Sequence, residues 1–223
     1  MKGFLFALFA ALFFIGCSNK AVLDPYTDTS AAKSYETIMK ITLNCEPCAD
    51  TNYETTINGY TYRSDVAINC CTNLRKIDAG AGLKKVYLHN ISDLRENSKV
   101  IKANGKAYSL NKRLDTLFYL AMKEELTNRG ILVVDTETSP YTLRVDFGFT
   151  DFKGVYSPGA SQLNSRLQGI LRIKNINYDK RIQINTRQSV SGLNANDVSD
   201  FGLYMDLLVK QAVNKAAEQI SKF

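Results

Sequence analysis

The apolar pattern of residues 84–223 constrains the fold more than any other feature of this 223-residue chain. Residues 141–149 read YTLRVDFGF, in which every second side chain is large and apolar: Tyr141, Leu143, Val145, Phe147 and Phe149. Such alternation is typical of a strand with one face buried and the other in water. The stretch therefore predicts an antiparallel sheet with one apolar face.

Other segments extend this sheet and supply helices to cover it. Three more strands are predicted from their alternation, at residues 84–91, 165–174 and 181–190. Two helices are predicted from apolar residues at helical spacing, at residues 112–129 and 200–222. Gly130 follows the first helix, where a left-handed C-cap belongs. The order of elements predicts an α+β fold, in which an antiparallel sheet has two amphipathic helices packed on one face, over residues 84–223.

Residues 34–83 form a cysteine-rich section with little apolar mass of its own. SYETIMKITL, residues 34–43, has the β-branched and aromatic content of a strand. Asn58-Gly59, between alternating residues, predicts a hairpin with a type I′ turn, and Asn104-Gly105 predicts a second hairpin in the main domain. A stretch further on, KGVYSPGASQ at residues 153–162, is predicted to be an exposed loop.

Four cysteines lie in the cysteine-rich section: Cys45, Cys48, Cys70 and Cys71. An even number predicts two disulfides if the chain is exported, which its first 16 residues indicate. A bridge between the neighbours Cys70 and Cys71 would be strained, so each is expected to pair with Cys45 or Cys48, with both connectivities open. The section is thus predicted to be a small disulfide-stapled β appendage.

The first 16 residues have the features of a bacterial lipoprotein signal peptide. Lys2 precedes an apolar run at residues 4–15, which is too short to span a bilayer as a helix. Gly16 then precedes Cys17, so we expect Cys17 to be lipidated and to start the mature chain. Residues 17–33 are polar and are predicted to be a flexible tether. The alternative is an ordinary secreted protein, in which Cys17 is a chance residue.

The predicted cellular compartment and the net charge of the chain limit which molecules it can be expected to bind. Ser18 is not the aspartate that commonly retains lipoproteins at the inner membrane, so the outer membrane, facing the periplasm, is predicted. An exported protein is not expected to bind nucleic acid. The net charge of +6 allows a weak attraction to anionic headgroups or lipopolysaccharide, but a solvated surface is the favoured interpretation. Envelope proteins, or further copies of this chain, are the expected partners.

The sequence contains few candidates for catalysis. His89 is the only histidine, and we expect a solvated or hydrogen-bonded strand residue there. Cys45-Glu46-Pro47-Cys48 resembles a thiol-redox motif, but a polar hairpin follows it instead of the helix that would lower a thiol pKa. Zinc binding is disfavoured because Cys70 and Cys71 are adjacent. No catalytic residue, metal site or cofactor is predicted, apart from the covalent lipid on Cys17.

Three residues are candidates for partner binding. Asp93 and Arg95 lie in a charged loop, where they could bind a partner or form a loop-stabilising salt bridge, and the salt bridge is the favoured interpretation. Tyr156 falls in the predicted loop at residues 153–162, where an exposed tyrosine would be a suitable contact anchor.

Residues 84–223 resemble the YajG-type family of outer-membrane lipoproteins. The resemblance rests on the opening strand, the loop with Asp93 and Arg95, the helix ending LTNRGILVV, the YTLRVDF strand, a strand pair and a closing helix. The region is more loosely similar to the lipoproteins TraT and HpaA. The resemblance implies a fold and a compartment, and it supplies no catalytic residues.

These observations favour a non-enzymatic outer-membrane lipoprotein that acts as a scaffold or accessory subunit of an envelope assembly through protein contacts. The alternative is a ligand-binding lipoprotein, either a surface adhesin or an accessory of lipid or lipopolysaccharide transport. A thiol redox enzyme is the third hypothesis.

Overall fold

The computed structural model describes residues 29–41, 46–47, 53–66, 84–97, 99–110, 112–194 and 198–223. The described helices are α1 (Thr29–Lys40), α2 (Leu114–Asn128) and α3 (Gly202–Ser221). The described strands are β1 (Glu46–Pro47), β2 (Tyr53–Ile57), β3 (Tyr60–Ser64), β4 (Lys85–Asp93), β5 (Lys99–Ala103), β6 (Lys106–Ser109), β7 (Leu132–Val134), β8 (Leu143–Ser157), β9 (Gln162–Lys174) and β10 (Asp179–Ser191). All five cysteines lie outside the described residues, so the lipidation and disulfide predictions are not tested here.

The ten described strands form one mixed sheet, in which eight follow the order β1-β2-β3-β10-β9-β8-β4-β7, while β5 pairs with β8 and β6 pairs with β5. Along the sheet, β2, β3, β10, β9 and β8 each pair antiparallel with the next strand, as the alternation predicted. However, β4 pairs parallel with both β7 and β8, and β5 pairs parallel with the second half of β8. The parallel pairing of β4 with β7 follows from α2, which forms the crossover between them. The prediction of a purely antiparallel sheet is therefore wrong at this edge.

The core lies between the sheet and the two predicted helices, and their packing on one face is confirmed. Helix α2 packs on β4 and β7, whereas α3 packs on β9 and β10. The ring of Phe118 on α2 stacks on Phe147 of β8 at 4.1 Å and meets the edge of Phe149 at 5.5 Å. These aromatic contacts add to the burial of apolar area that stabilises the two layers.

Gly130 ends α2 as its sequence predicted. Its φ of 73° lies in the left-handed region that glycine adopts without strain. The N–H of Gly130 donates to the Thr127 carbonyl at 2.9 Å, and the N–H of Ile131 donates to the Leu126 carbonyl at 2.9 Å. This pair of bonds is a Schellman motif, which satisfies the last carbonyls of the helix and turns the chain towards β7.

Residues 29–40 form a third helix, so the strand predicted at 34–43 is wrong. Ala31, Ser34 and Ile38 are buried at helical spacing, and α1 packs against α2 and α3. The ammonium group of Lys210 on α3 donates to the Ile38 carbonyl at 2.8 Å, near the C-terminus of α1. Packing and this cap outweigh the strand preference of the β-branched residues. Helix α1 also includes the last residues of the predicted tether.

The Asn58-Gly59 hairpin is confirmed, with φ values of 52° and 82° at the two turn residues. The turn at Asn104-Gly105 is confirmed in the same way, with φ values of 52° and 72°. Strand β3 pairs antiparallel with β10, with Arg63 opposite Ser189. The first hairpin therefore extends the main sheet, so the small disulfide-stapled β appendage predicted on the main domain is not supported.

The loop predicted at 153–162 is instead a tight connection between two long strands. Strand β8 continues to Ser157, a single 3-10 turn covers Pro158–Ala160, and β9 begins at Gln162. Tyr156 is consequently buried, and its hydroxyl donates to the Leu193 carbonyl at 2.7 Å. The expected exposed position for Tyr156 is wrong because the inward alternation of β8 runs on through this residue.

Candidate functional site

Two connections meet at one end of the sheet: residues 139–142, before β8, and residues 175–178, between β9 and β10. The N–H of Ile176 donates to the Pro140 carbonyl at 3.0 Å, and the Asn175 side-chain amide lies 3.4 Å from the Tyr141 carbonyl. The Asn175 side-chain oxygen also accepts from the N–H groups of Asn177 at 2.8 Å and Tyr178 at 2.9 Å. This Asx turn fixes the shape of the second connection, and the bonds to Pro140 and Tyr141 hold it against the first.

This end of the molecule exposes large apolar and aromatic side chains. Tyr141 is 69% exposed, Ile176 is 67% exposed and Tyr178 is 41% exposed. The Tyr178 ring meets the C-terminal Phe223 edge-on at 5.5 Å, and the Lys180 ammonium lies 5.0 Å from the centre of the Phe223 ring. We call Tyr141, Ile176, Tyr178 and Phe223 the aromatic end.

A cleft of about 430 Å³ opens beside the aromatic end, and Lys84, Lys85 and Asn177 contribute polar groups to its lining. The Lys84 ammonium donates to the Ser221 carbonyl at 2.7 Å, and burial lowers the pKa of Lys84 from its usual range. Aromatic rings beside amide and ammonium groups can bind a peptide loop or a small polar ligand.

Strand directions explain why these residues meet. Strands β4 and β8 are parallel, so their first residues lie at the same end of the sheet. The antiparallel pairing of β8, β9 and β10 brings the 175–178 turn to this end. Helix α3 runs back across the sheet and places Phe223 beside the turn. The aromatic end is thus assembled from three separate parts of the sequence, and the chain at the start of β4 adds the lysines of the cleft beside it.

Asp93 and Arg95 lie at the opposite end of β4 and form a salt bridge. The Arg95 guanidinium donates to both Asp93 carboxylate oxygens, at 2.7 Å and 2.5 Å, and lies 5.6 Å from the centre of the Phe152 ring. The hydrogen bond from Arg95 lowers the pKa of Asp93 below its usual range. Their geometry matches the loop-stabilising interpretation, and the structure does not bring them near the aromatic end.

His89 is a hydrogen-bonded strand residue, as predicted. Its Nδ1 lies 2.7 Å from an Asp146 carboxylate oxygen, and the Arg144 guanidinium lies 3.1 Å from its Nε2. The residue occupies an irregularity in the pairing of β4 with β8. Within the described ranges, no group of three His, Cys, Asp or Glu residues is placed to hold a metal ion.

The sequence did not identify the aromatic end. Tyr141 was expected to point inward as the first residue of the alternating strand, but β8 begins at Leu143 and Tyr141 is exposed. Ile176 and Tyr178 fall in a turn, where large apolar residues are unusual. That composition is the signal that could have identified them.

None of the helices in the described part of the chain is long and apolar enough to cross a bilayer. The lipidation candidate Cys17 and the cysteines Cys45, Cys48, Cys70 and Cys71 lie outside that part. Their roles remain predictions.

Comparisons with known proteins identify a family. A family model described as outer membrane lipoprotein MapA matches residues 1–223. The outer membrane lipoprotein MapA of Campylobacter jejuni subsp. jejuni serotype O:6 is 37% identical over 230 residues, covering 99% of each chain. The MapA protein of serotype O:2 is likewise 37% identical over 230 residues, with 99% of each chain covered.

Solved structures of two lipoproteins are more distant matches. A minor lipoprotein from Acinetobacter baumannii superposes with a TM-score of 0.38 at 12% identity, covering 62% of this chain and 93% of that one. The rare lipoprotein B from Shewanella oneidensis superposes with a TM-score of 0.36 at 13% identity, covering 60% of this chain and 92% of that one.

The lipoprotein class and the outer membrane, which the resemblance to the YajG-type family implied, are confirmed by the sequence comparisons. The finer likeness to YajG, TraT or HpaA remains a prediction. Since the matching family model spans residues 1–223 and the Campylobacter relatives match at 37% identity across 99% of their length, this chain belongs to the MapA family of outer membrane lipoproteins.

Proposed function

We propose that this lipoprotein is non-enzymatic and acts as a scaffold or accessory subunit of an envelope assembly, through protein contacts made by the aromatic end. A lipid on Cys17 would anchor it to the outer membrane with the folded body in the periplasm. The single observation that supports the contact role most strongly is the exposure of Tyr141, Ile176 and Tyr178 together at one end.

The chemistry of this end suits a protein partner. Tyrosine is enriched among the residues that dominate binding energy in protein interfaces. An exposed apolar cluster with a polar rim is a common mark of an interaction site, whereas scattered apolar residues need no explanation. The contact with Phe223 and the Asn175 turn already hold Tyr178, which reduces the side-chain entropy lost on binding.

Photo-crosslinking in living cells tests this contact. A benzophenone amino acid replaces Tyr141 or Tyr178 one at a time, so the aromatic character of the position is kept. We expect one discrete crosslinked species from both positions, either with another envelope protein or with a second copy of this chain. The matched control position is Lys106, an exposed residue after the turn at the far end of β5.

The control decides between a specific contact and random collision. A crosslinked species from Tyr141 and Tyr178 that does not form from Lys106 supports the proposal. The same species from all three positions, or no species from either tyrosine position, would contradict a contact made by the aromatic end.

The cleft beside the aromatic end favours a second candidate function, which is ligand binding by an adhesin or a lipid-transport accessory. Its volume of about 430 Å³ falls within the usual range for small-ligand sites. Native mass spectrometry after extraction in a mild detergent would then show a bound small molecule, lost in the Tyr141→Ser variant. The adhesin version also requires display outside the cell, where protease added to intact cells would cleave the protein.

A further inference from the structure

The outer face of the sheet, opposite α2 and α3, places cations next to one another across strands. Arg166 on β9 lies directly between Lys153 on β8 and Arg187 on β10. Arg172 on β9 lies directly opposite Arg181 on β10 and, on its other side, directly opposite Asp146 on β8. We call the five basic residues the cationic face. The basic residues that look scattered in the sequence are therefore aligned in two rows by the strand register.

Nearby carboxylates neutralise only part of the positive charge in these two rows. Asp151 lies 2.6 Å from the Arg166 guanidinium and 3.4 Å from the Lys153 ammonium, and Asp179 lies 2.6 Å from the Arg172 guanidinium. No salt bridge among the described residues includes Arg187, although its main-chain N–H donates to the Asp65 carboxylate at 2.9 Å. Like charges directly opposed across strands destabilise a sheet. An anionic ligand would relieve that repulsion, so the surface is electrostatically complementary to one.

Two exposed aliphatic side chains lie between the rows. Ile170 on β9 is 43% exposed, and Leu94, which follows β4, is 59% exposed. Ile170 is directly opposite Gly148, and a Cβ built on Gly148 would lie 2.5 Å from the Leu94 Cδ1 atom. The absence of a side chain at Gly148 thus makes room for Leu94 on the face.

We propose that the cationic face binds the phosphate groups of anionic phospholipids at a bilayer surface, with Leu94 and Ile170 entering the interface. Arginine forms bidentate hydrogen bonds with phosphate and is the side chain best suited to this contact. Aliphatic side chains between the cations gain burial at a bilayer, but they gain nothing from a dissolved anion. This pattern favours a membrane surface over a soluble polyanion.

The anchor of the proposed function would keep this face close to a bilayer, and the inference rests on that anchor. Eleven residues lie between Cys17 and Thr29, where α1 begins. A chain of that length extends at most about 40 Å. The folded body would therefore stay within reach of the headgroups, and binding would follow from a high local concentration.

Arginine modification of the full lipidated protein in vesicles tests the proposal. One preparation contains phosphatidylethanolamine and phosphatidylglycerol, and the other contains phosphatidylethanolamine and phosphatidylcholine. Phenylglyoxal modifies exposed arginines, and mass spectrometry gives the rate for each residue. We expect Arg166 and Arg187 to react about fivefold more slowly on the anionic vesicles, since a cation near such a surface gains about 1 kcal/mol.

Internal controls separate this face from general adsorption. Arg113 and Arg129 pair with Asp115 and Glu125 on the helix side, and their rates should be equal on both vesicles. High salt should abolish the protection of Arg166 and Arg187. Equal rates for these two residues on both vesicle types would overturn the proposal, as would equal protection of all four arginines. Protection by dissolved inorganic phosphate on the uncharged vesicles would also overturn it.

A double variant provides an independent check. Arg181, in the second row of the cationic face, should also react more slowly on the anionic vesicles. Arg166→Gln with Arg187→Gln should remove that protection, whereas Lys33→Gln with Lys40→Gln on α1 removes the same charge and should leave it intact. Retained protection in the first variant would contradict the proposal. Flotation of the vesicles tests the lipid anchor separately. Protein that does not float with the vesicles would refute the anchor. Protein that floats but whose arginines are not protected from phenylglyoxal would refute only binding by the cationic face.

Discussion

Gly169 occupies the point on β9 where the ring of Phe147 crosses the sheet. A Cβ built on Gly169 would lie 2.3 Å from Cζ of Phe147 and 3.0 Å from the Gly148 carbonyl oxygen. The ring cannot move aside freely, because it also stacks on Phe118 at 4.1 Å. The absence of a side chain at this position is therefore a requirement of the aromatic core.

We expect Gly169→Ala to lower the free energy of unfolding by about 1–3 kcal/mol, the usual cost of overpacking. The matched control is Gly159→Ala in the 3-10 turn, where a Cβ would have no atom within 4 Å. Urea unfolding of both variants measures the difference. Equal stabilities would show that the ring of Phe147 moves without cost.

Asp206 on α3 is a buried carboxylate whose partner comes from the segment before α2. The Lys112 ammonium lies 2.6 Å from the Asp206 Oδ2 atom. Burial raises the pKa of Asp206 above its usual range, although Lys112 and a hydrogen bond from Ser34 oppose this shift. A folded pKa above the unfolded one means that ionisation of Asp206 costs stability as the pH rises through the folded pKa.

Lys112→Met should therefore destabilise the protein most above the folded pKa of Asp206, where it leaves a buried negative charge unpaired. We expect a loss of about 1–3 kcal/mol at pH 7, below the value for a deeply buried pair, because Lys112 keeps some contact with water. The loss should shrink as the pH falls through the folded pKa of Asp206 and the carboxyl group is protonated. Unfolding curves of this variant and of Lys106→Met, recorded from pH 7 downwards, measure the difference. A loss independent of pH would show that the charge of Asp206 is not its cause.

Among individual residues, the sequence could predict only those interactions whose partners are close along the chain. The Asp93–Arg95 salt bridge and the Gly130 cap depend on residues close in sequence. The orientation of Tyr141 and the burial of Tyr156 depend on where β8 begins and ends, and alternation alone does not set those limits. The aromatic end was missed because it is built from three segments that are distant in the sequence.

At the scale of elements, α1 is the helix attached to the core by a few specific contacts. It packs on α2 and α3, and the Lys210 ammonium donates to the carbonyls of Ile38 at 2.8 Å and Ile41 at 3.4 Å. A cation at the C-terminal carbonyls of a helix is favourable both as a hydrogen-bond donor and towards the helix dipole. Helix α1 is thus fixed to α3 at its last turn.

Lys210→Met should loosen α1 while the sheet stays folded. We expect faster amide hydrogen exchange in residues 29–41, since the last turn loses its donor. The matched control is Lys215→Met, whose ammonium donates to the Asn185 carbonyl on β10 at 2.8 Å and not to α1. Exchange that rises equally in both variants, or equally across the sheet, would disprove a specific role for Lys210.

The sequence predicted those elements whose apolar residues repeat with a clear strand or helix period. The strands β8 to β10 and the helices α2 and α3 have clear periods, and their existence is confirmed. Helix α1 was missed because it contains β-branched and aromatic residues, and its helical period is visible only through the buried Ala31, Ser34 and Ile38. The parallel direction of β4 was missed because alternation reports which face is buried, not which neighbour a strand pairs with.

At the scale of the molecule, one sheet joins the N-terminal hairpin to the remaining strands. Strand β3 pairs with β10, so the hairpin is held by main-chain hydrogen bonds. The predicted bridges from Cys45 and Cys48 to Cys70 and Cys71 would then add stability to a hairpin that is already part of the sheet, by restricting the unfolded chain.

Reduction of the native protein should lower the free energy of unfolding by about 3 kcal/mol, the value expected for a loop of this size, without loss of the sheet. Thermal unfolding followed by circular dichroism, with and without a reductant, measures both parts. An identical unfolding midpoint with and without reductant would contradict the disulfides, and loss of the strand signal on reduction would contradict a hairpin held by β10.

We propose that a lipid on Cys17 anchors a single α+β body of the MapA family to the outer membrane. Mass spectrometry of the N-terminal peptide from the membrane fraction measures this modification. We expect a peptide that begins at Cys17 and has the added mass of a diacylglyceryl group on sulfur. A peptide that begins elsewhere, or an unmodified Cys17, would contradict it.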